Sequence, residues 1–274
     1  MPTVCETVDL TSFSLLGIRV DTLDRSGIVR AVADSIASGK RSVIANHNMH
    51  SLFMYYHDAK VREFFSVAEY IHIDGMSLVM IGRMMGMPLK REHRTTYLDL
   101  LPAVASEAAK CGWRIFFLGS KPNVGARAAV ALRNEYPGLQ IRTHHGHFNP
   151  DRWGKENQSV LAEINAYAPH ILVVGMGMPR QELWILENRQ TLQANVILPG
   201  GAIMDYIAGA VPTPPRWLGP LGLEWFYRLL TEPARLSRRY LLEPWFVLGK
   251  IAGQYLRGGQ QVAAAGIPRR ELKP

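Results

Sequence analysis

The chain has 274 residues, of which 47% are hydrophobic and 20% are charged, a composition typical of a globular protein and not of a disordered one. Its two cysteines, Cys5 and Cys111, match no metal-ligand spacing, so they predict neither a zinc site nor a disulfide framework and fit a reduced, cytoplasmic setting. No signal peptide opens the sequence, and no segment reaches the ~18 consecutive apolar residues of a membrane-spanning helix.

Short apolar runs alternate with longer amphipathic segments along most of the chain. Strands are predicted at 17–20, 42–46, 70–74, 113–118, 139–143, 171–175 and 195–199. Helices are predicted at 26–37, 58–68, 76–85, 97–110, 124–136, 159–167, 179–189 and 203–208. This alternation predicts an α/β fold whose sheet is mostly parallel and is flanked by helices.

A proline-rich segment at 211–215 marks a change of organisation, because its three prolines fix φ and remove backbone donors. We therefore divide the chain into a flexible N-terminus (1–10), an α/β core (11–210), a basic amphipathic appendage (211–257) and a disordered tail (258–274). Within the appendage, helices are predicted near 221–230, 234–242 and 245–256.

The C-terminal part of the chain is strongly basic. From residue 211 onward there are ten Lys/Arg and four Asp/Glu, so this part carries +6 of the formal net charge of +8, together with three of the six tryptophans. Such a segment favours an anionic partner, which could be membrane lipid, a diphosphate or nucleic acid. The appendage helices could pack on the core with a solvated basic side, or could lie on a membrane with arginines reaching the active site.

Polar and glycine residues follow the predicted strands, and parallel α/β sheets bind ligands at these carboxyl ends. We expect them to converge on one crevice. The strand ends are Asn46 and Asn48, Asp74-Gly75, Gly119-Ser120-Lys121, the segment 175–182, and Gly200-Gly201.

Asp74 could act as a general base or could cap the helix predicted at 76–85. The turn at 117–122 could bind phosphate or could be an ordinary connection, whereas the segment 175–182 favours a ligand loop. The histidines at 144, 145 and 147 have no acidic or cysteine partner beside them, so we interpret them as loop residues near the ligand and not as metal ligands. No DxD sequence is present to hold a nucleotide-bound metal ion.

These residues carry a resemblance to a known family. From about residue 17 to 248 the chain resembles the WecG/TagA/CpsF glycosyltransferases, family 26. The resemblance rests on eight motifs in order: Asn46-His-Asn48, Ile-Asp74-Gly-Met, Arg94-x-Thr96-x-x-Asp99, Phe-Leu-Gly119-Ser-Lys-Pro, Val-Gly175-Met-Gly-Met-Pro-Arg-Gln181-Glu, Gly200-Gly-Ala-Ile-Met-Asp205, Gly-Leu-Glu224-Trp-Phe-Tyr-Arg228-Leu and Glu232-Pro-x-Arg235.

The resemblance implies a Rossmann-like α/β domain with a helical C-terminal appendage. It also implies an inverting transferase that uses no metal or other cofactor and extends polyprenyl-diphosphate-linked sugars as a peripheral protein at the cytoplasmic face of the inner membrane. The implied partners are a UDP-sugar, the lipid-diphosphate-linked sugar acceptor and the membrane surface, with no nucleic acid and a possible homo-oligomer.

The family's functional residues map onto this sequence position by position. Asp74 matches the catalytic base, and Asp205 matches the residue that contacts uracil. Phe148 falls near the aromatic residue that stacks on the base. Donor or acceptor contacts are implied for Asn46, Asn48, Arg94, Thr96, Gly119, Gly175, Gln181 and Gly200. The appendage arginines Arg228, Arg235 and Arg238 match those that bind the diphosphate or the lipid acceptor.

The sequence departs from many family members at Asn46, where threonine is common, and at Tyr97, where glycine is common. The stretch 46–52, together with the 175–182 loop, is most similar to the xanthan-type branch of β-1,4-glucosyltransferases. We therefore predict transfer of glucose from UDP-glucose in exopolysaccharide biosynthesis. The alternative is transfer of N-acetylmannosamine to N-acetylglucosaminyl-diphosphate-undecaprenol, as in teichoic acid or enterobacterial common antigen synthesis.

Two other classes of protein fit parts of the sequence. The βαβ pattern alone also allows a nucleotide-dependent oxidoreductase, although no GxGxxG fingerprint follows an early strand. A basic adaptor that binds nucleic acid or membrane would explain the charged tail, but it would leave the polar strand ends unexplained.

Overall fold

The computed structural model describes residues 10–215 and 217–256. The predictions of a flexible segment at 1–10, apart from its last residue, and of a disordered tail at 258–274 lie outside these residues.

Six parallel strands form the central sheet, in the order β4-β3-β8-β7-β5-β6, and an antiparallel hairpin, β1-β2, adjoins it. The strands are β1 (Ser12–Leu15), β2 (Ile18–Asp21), β3 (Ser42–His47), β4 (Tyr70–Ile73), β5 (Arg114–Gly119), β6 (Gln140–His144), β7 (Ile171–Gly175) and β8 (Val196–Pro199). The predicted fold class, an α/β fold with a Rossmann-like parallel sheet and C-terminal helices, is confirmed.

Helices cover both faces of the sheet. In the core they are α1 (Arg25–Ala37), α2 (Met49–His57), α3 (Ala59–Val67), α4 (Met76–Met84), α5 (Tyr97–Cys111), α6 (Val124–Glu135), α7 (Lys155–Tyr167), α8 (Arg180–Asn188) and α9 (Ile203–Ile207). Apolar residues of α1, α5, α6 and α9 pack on one face, and those of α3, α7 and α8 pack on the other. Because both faces are covered, the central strands are apolar throughout, and all five residues of β7 are buried.

The N-terminal hairpin corrects the prediction of a single strand at 17–20. Leu16 and Gly17 both have positive φ, 50° and 80°, and form the tight turn between β1 and β2. The Asp21 carboxylate accepts hydrogen bonds from the Ser12 hydroxyl at 2.6 Å and from the Ile71 N–H at 2.7 Å. The hairpin is thereby tied to the edge strand β4.

Helix α2 was not predicted, because Asn48 was interpreted only as a strand end. The side-chain oxygen of Asn48 accepts a hydrogen bond from the Ser51 N–H at 3.0 Å, and the Ser51 hydroxyl accepts one from the Asn48 N–H at 2.8 Å. This reciprocal pair is a capping box, and it begins the helix immediately after β3.

Four helices form the C-terminal appendage: α10 (Leu218–Leu221), α11 (Glu224–Thr231), α12 (Pro233–Leu241) and α13 (Glu243–Leu256). Leu236 and Val247 are buried, and Phe246 packs against the rings of Phe53 and His57 on α2. The proposed boundary at 211–215 has no regular structure, but its role as a domain boundary stays a prediction. No helix in the described ranges is long and apolar enough to cross a membrane.

Candidate active site

A large cleft lies between the carboxyl ends of the strands and the appendage, with a volume of about 1130 Å³. Twelve of the predicted site residues line it: Asn46, Asn48, Asp74, Arg94, Thr96, Gly175, Gln181, Gly200, Asp205, Arg228, Arg235 and Arg238. Gly119 and Phe148 are not among the lining residues, although each contacts residues that are. The sequence therefore identified which residues converge, while their individual roles stay predictions.

Asp74 follows β4 at the inner end of the cleft. The residue that caps α4 is Gly75, which makes no side-chain cap hydrogen bond, so the interpretation of Asp74 as the helix cap is wrong. The side-chain nitrogens of Asn46 and Asn48 each lie 3.5 Å from Asp74 Oδ2. Two amides from the end of β3 thus face one oxygen of this carboxylate.

The environment of Asp74 changes its acidity. Burial raises the pKa of its carboxyl and outweighs Arg94, the Asn48 amide and Arg228, each of which lowers it. A raised pKa brings a carboxylate closer to the strength that a general base needs near neutral pH.

Arg94 is held in place by the appendage. Its Nη2 atom donates to Oε2 of Glu224, 130 residues away in the sequence, and only 10% of the Arg94 side chain is exposed. Nearby, the Thr96 hydroxyl donates to Asp99 at 2.9 Å. The Arg94–Glu224 ion pair therefore joins the core wall of the cleft to α11.

Gly119 and Gly175 allow two strand ends to approach closely. A Cβ atom on Gly119, whose φ is +157°, would lie 2.2 Å from the carbonyl oxygen of Gly175, and one on Gly175 would lie 2.6 Å from the Gly201 carbonyl. Neither glycine tolerates a side chain. For Gly119 this packing explains the residue without any ligand contact.

Gln181 connects three parts of the cleft wall. Its side-chain oxygen accepts from the N–H groups of Gly177 at 3.2 Å and Gly201 at 3.1 Å, while its amide donates to Glu182 Oε1 at 2.8 Å. Burial raises the pKa of Glu182 to about 7, although the Gln181 hydrogen bond lowers it. Gln181 thus orders the loop after β7 as well as facing the cleft.

Two further predicted residues lie around the β5 and β6 ends. The Ser120 hydroxyl donates to Asp205 Oδ2 at 2.9 Å, which links β5 to α9. Phe148 lies beside Arg180, whose guanidinium donates to the Phe148 carbonyl at 2.7 Å. Arg180 lines the cleft and lies over the ring of Phe148, which does not itself line the cleft.

The appendage arginines differ in exposure, which no motif indicated. Arg235 pairs with Glu232 at 2.6 Å and its side chain is 56% exposed, and Arg238 is also exposed. Arg228 and Arg239 are more deeply placed: Arg228 lies 5.8 Å from the Tyr206 ring centroid, and Arg239 Nη2 lies 3.4 Å from Asn48 Oδ1. Arg239 is the residue that the sequence-based prediction missed.

Arg239 is half-buried, and this burial lowers its pKa, against the influence of Tyr240 and Glu243. For Arg228, burial also lowers the pKa, but Tyr240, Tyr206 and Asp74 outweigh it and raise the pKa. Two guanidinium groups near one carboxylate suit a bound anion with several oxygens. Arg239 follows Leu236 by three residues, so the two side chains lie on the same face of α12. An apolar residue at this spacing is the signal that could have identified Arg239.

The histidines after β6 contribute little to the cleft wall. His147 lines the cleft, whereas the rings of His144 and His145 lie against each other, 4.5 Å apart. Within the described ranges, no three His, Cys, Asp or Glu residues form a group suited to a metal ion. Metal-independent transfer stays a prediction, because it concerns the reaction.

A family model matches this chain over residues 13–261, which is most of its length: the glycosyl transferase WecG/TagA/CpsF family. The chain belongs to this family. It is therefore a glycosyltransferase of the hexosyltransferase kind, and the family implies a nucleotide-sugar donor and a lipid-linked acceptor. The interpretations as an oxidoreductase or a binding adaptor are set aside.

Proposed function

We propose that this WecG/TagA/CpsF transferase moves glucose from UDP-glucose to a polyprenyl-diphosphate-linked sugar, forms a β-1,4 linkage and requires no metal. The observation that carries the proposal is one cleft that contains a half-buried carboxylate, Asp74, and two half-buried arginines, Arg228 and Arg239. A base and a cationic site for a leaving diphosphate are the two parts that a direct glycosyl transfer needs.

In the proposed mechanism, Asp74 removes the proton from the acceptor hydroxyl, whose oxygen attacks the anomeric carbon. The bond from that carbon to the UDP oxygen breaks on the opposite face, so an α-linked donor gives a β-linked product. UDP leaves as the anion. Asn46 and Asn48 hold the Asp74 carboxylate through its Oδ2 atom.

The negative charge that develops on UDP is stabilised by Arg228 and Arg239, with Arg235 and Arg238 nearer the cleft entrance for the lipid diphosphate. Arginine can do this through paired N–H donors, without a metal ion. At the other end, Asp205 binds the uracil and Phe148 adjoins it. Arg94, Thr96, Gln181, Gly175 and Gly200 complete the walls around the sugars, and Gly119 supports them through its contact with Gly175.

Glucose is proposed because the 46–52 and 175–182 segments are similar to the xanthan-type branch. The departure at Asn46 lies directly beside Asp74, 3.5 Å from its Oδ2 atom, so a changed side chain at that position bears on how the base and the sugars meet. N-acetylmannosamine transfer is the alternative that a donor screen decides.

Membrane binding is proposed for the outer face of the appendage. Its exposed apolar residues outside the cleft lining, which we call the appendage apolar surface, are Trp217, Leu221, Leu223, Phe226, Leu230, Leu241, Leu242, Trp245 and Leu248. Exposed apolar patches of this kind mark interaction sites, and interfacial aromatic residues suit a lipid surface. The acceptor is a membrane lipid, so this surface would bring the cleft to it at the inner face of the membrane.

A donor screen tests the proposed function. The purified full-length protein is mixed with a glucosyl- or an N-acetylglucosaminyl-diphosphate lipid and with either UDP-glucose or UDP-N-acetylmannosamine, in the presence and absence of EDTA, and UDP release and lipid product are measured. We expect product with UDP-glucose. If product forms only with UDP-N-acetylmannosamine and an N-acetylglucosaminyl-diphosphate lipid, glucose is not the sugar transferred. If EDTA abolishes all activity, the reaction requires a metal ion.

A further inference from the structure

Tyr97 is a buried cleft residue with an unused hydroxyl. It begins α5, it is 8% exposed, and it lines the cleft. Its hydroxyl oxygen has no hydrogen-bond partner among the residues that the structure describes. The ring is fixed by an edge contact with the His72 ring at a centroid distance of 5.9 Å.

An unpartnered hydroxyl is an unfavourable way to fill a buried position. Leaving a buried polar group unpaired is destabilising, whereas phenylalanine would supply the same ring without an unpaired hydroxyl. Tyr97 lines the substrate cleft, and its hydroxyl is buried in the cleft wall, where a bound ligand can supply the missing partner. The position of Tyr97 therefore points to a substrate contact.

The surroundings of Tyr97 keep its hydroxyl protonated. Burial raises its pKa well above the usual value, and the nearby carboxyls of Asp74 and Glu182 raise it further. A neutral phenol beside two acidic side chains is a hydrogen-bond donor toward an oxygen that carries no charge. A sugar hydroxyl is such an oxygen, and two neighbouring carboxyls make it a more favourable partner here than a phosphate.

The neighbours of Tyr97 also indicate whether the donor sugar or the acceptor sugar lies beside it. Glu182 is hydrogen-bonded to Gln181, which in turn accepts from Gly201 at the turn that leads to α9. Asp205, the proposed uracil contact, belongs to α9. Tyr97 is thus near Asp74, the proposed general base, and near Glu182, which Gln181 links to the turn before α9.

We propose that the Tyr97 hydroxyl donates a hydrogen bond to one free hydroxyl group of the hexose being transferred, and that it is a specificity-determining residue for the donor sugar. This inference rests on the proposed function. In this proposal the Tyr97 side chain recognises a free hydroxyl oxygen of the sugar near Asp74.

The test combines a variant with altered donors. Full-length wild-type protein and the Tyr97→Phe variant are assayed with UDP-glucose and with its 2-, 3-, 4- and 6-deoxy analogues. Tyr167→Phe is the matched control, since Tyr167 lies on α7, outside the cleft residues, beside Arg142. For each protein, kcat/KM with each deoxy donor is divided by the value with UDP-glucose, so any loss of folded protein cancels.

In wild-type protein and the control, we expect one deoxy donor to lose roughly 10-fold or more in kcat/KM, as losing a donor–acceptor pair in a buried site predicts. In Tyr97→Phe, UDP-glucose should lose a similar factor and that same deoxy donor should lose no more. Equal sensitivity of Tyr97→Phe and wild type to every deoxy donor would overturn the inference, and would leave Tyr97 a packing residue. A wild-type protein that transfers no hexose from any UDP donor would reject the proposed function itself, before any variant is compared.

Discussion

The core and the appendage distribute their side chains in opposite ways. In the core, β7 is buried throughout and apolar residues fill both faces of the sheet. In the appendage, α11 has no buried residue, and the outward positions carry tryptophan, phenylalanine and leucine, while Arg228, Arg239 and Glu243 turn toward the cleft. The core thus buries its apolar residues, whereas the appendage exposes many of them while several of its charged side chains line the cleft.

This difference separates two tasks within the proposed reaction. Proton removal belongs to the core, where Asp74 is fixed by two asparagines at the end of β3. Stabilisation of the leaving diphosphate and contact with lipid belong to the appendage. Variants on each side should therefore fail in different ways.

The largest effect is expected from Asp74→Asn. The amide cannot accept the proton of the acceptor hydroxyl, so kcat should fall by about 10²-fold or more, the usual contribution of a general base. Single-turnover measurement of product would check it. Unchanged turnover would show that the base lies elsewhere.

The pH dependence of kcat/KM sharpens the same point. Because the Asp74 pKa is raised, the base is protonated over a wider acidic range, and kcat/KM should rise with pH along a limb displaced above the usual carboxyl pKa. That limb should disappear in Asp74→Asn, whereas Arg127→Ala, an exposed change on α6, should keep it.

The next effect concerns the appendage arginines. Arg239→Ala should lower kcat/KM by roughly 10- to 100-fold, because it removes a buried charge-assisted contact to phosphate. Arg238→Ala, one residue away on the same helix but exposed, should cost less. Steady-state kinetics with UDP-glucose compares the two, with Arg127→Ala as the neutral control; the reverse order would favour the original choice of Arg238.

A smaller effect is expected for the appendage apolar surface. The double change of Leu242 and Trp245 to alanine should weaken sedimentation with anionic vesicles by roughly 10-fold, since each side chain buries apolar area in the lipid. Trp153→Ala is the matched control, because Trp153 is 78% exposed but lies in the core. Equal loss in both variants would break the contrast between the two regions.

The smallest effect on transfer is expected for Glu182→Gln, which should change stability instead. The folded pKa of about 7 lies above the ordinary 4.5, so protonation favours the folded state, and the wild type loses stability as pH rises from about 4.5 to 7. At pH 8 the free energy of unfolding of the variant should exceed that of wild type by on the order of 3 kcal/mol. At pH 4.5 the two proteins should have similar free energies of unfolding. Denaturant unfolding at both pH values checks it.

Local patterns were enough for the core of this fold. The strand at 171–175 was predicted residue for residue, because five apolar residues with turn signals on both sides suit only a buried strand of this length. Parallel sheets bind ligands at the carboxyl ends of their strands, so the residues after the predicted strands were expected to converge. Asn46, Asp74 and Gln181 do line one cleft.

What the sequence missed depends on contacts between distant segments. The ion pair of Arg94 with Glu224 spans 130 residues, and no motif indicates it. Arg239 was overlooked because its burial depends on how α12 lies on the core through Leu236. The start of α2 could have been predicted from Asn48, since asparagine is among the residues preferred at helix N-caps.

The size of the cleft has a kinetic consequence. At about 1130 Å³ it exceeds the 300–1,000 Å³ typical of a pocket for one small ligand. The cleft is therefore large enough for a nucleotide sugar and the sugar-diphosphate end of the acceptor at the same time. If Asp74 acts as the proposed base and not as a nucleophile, we expect a sequential mechanism through a ternary complex, in which UDP is released only after the acceptor has bound.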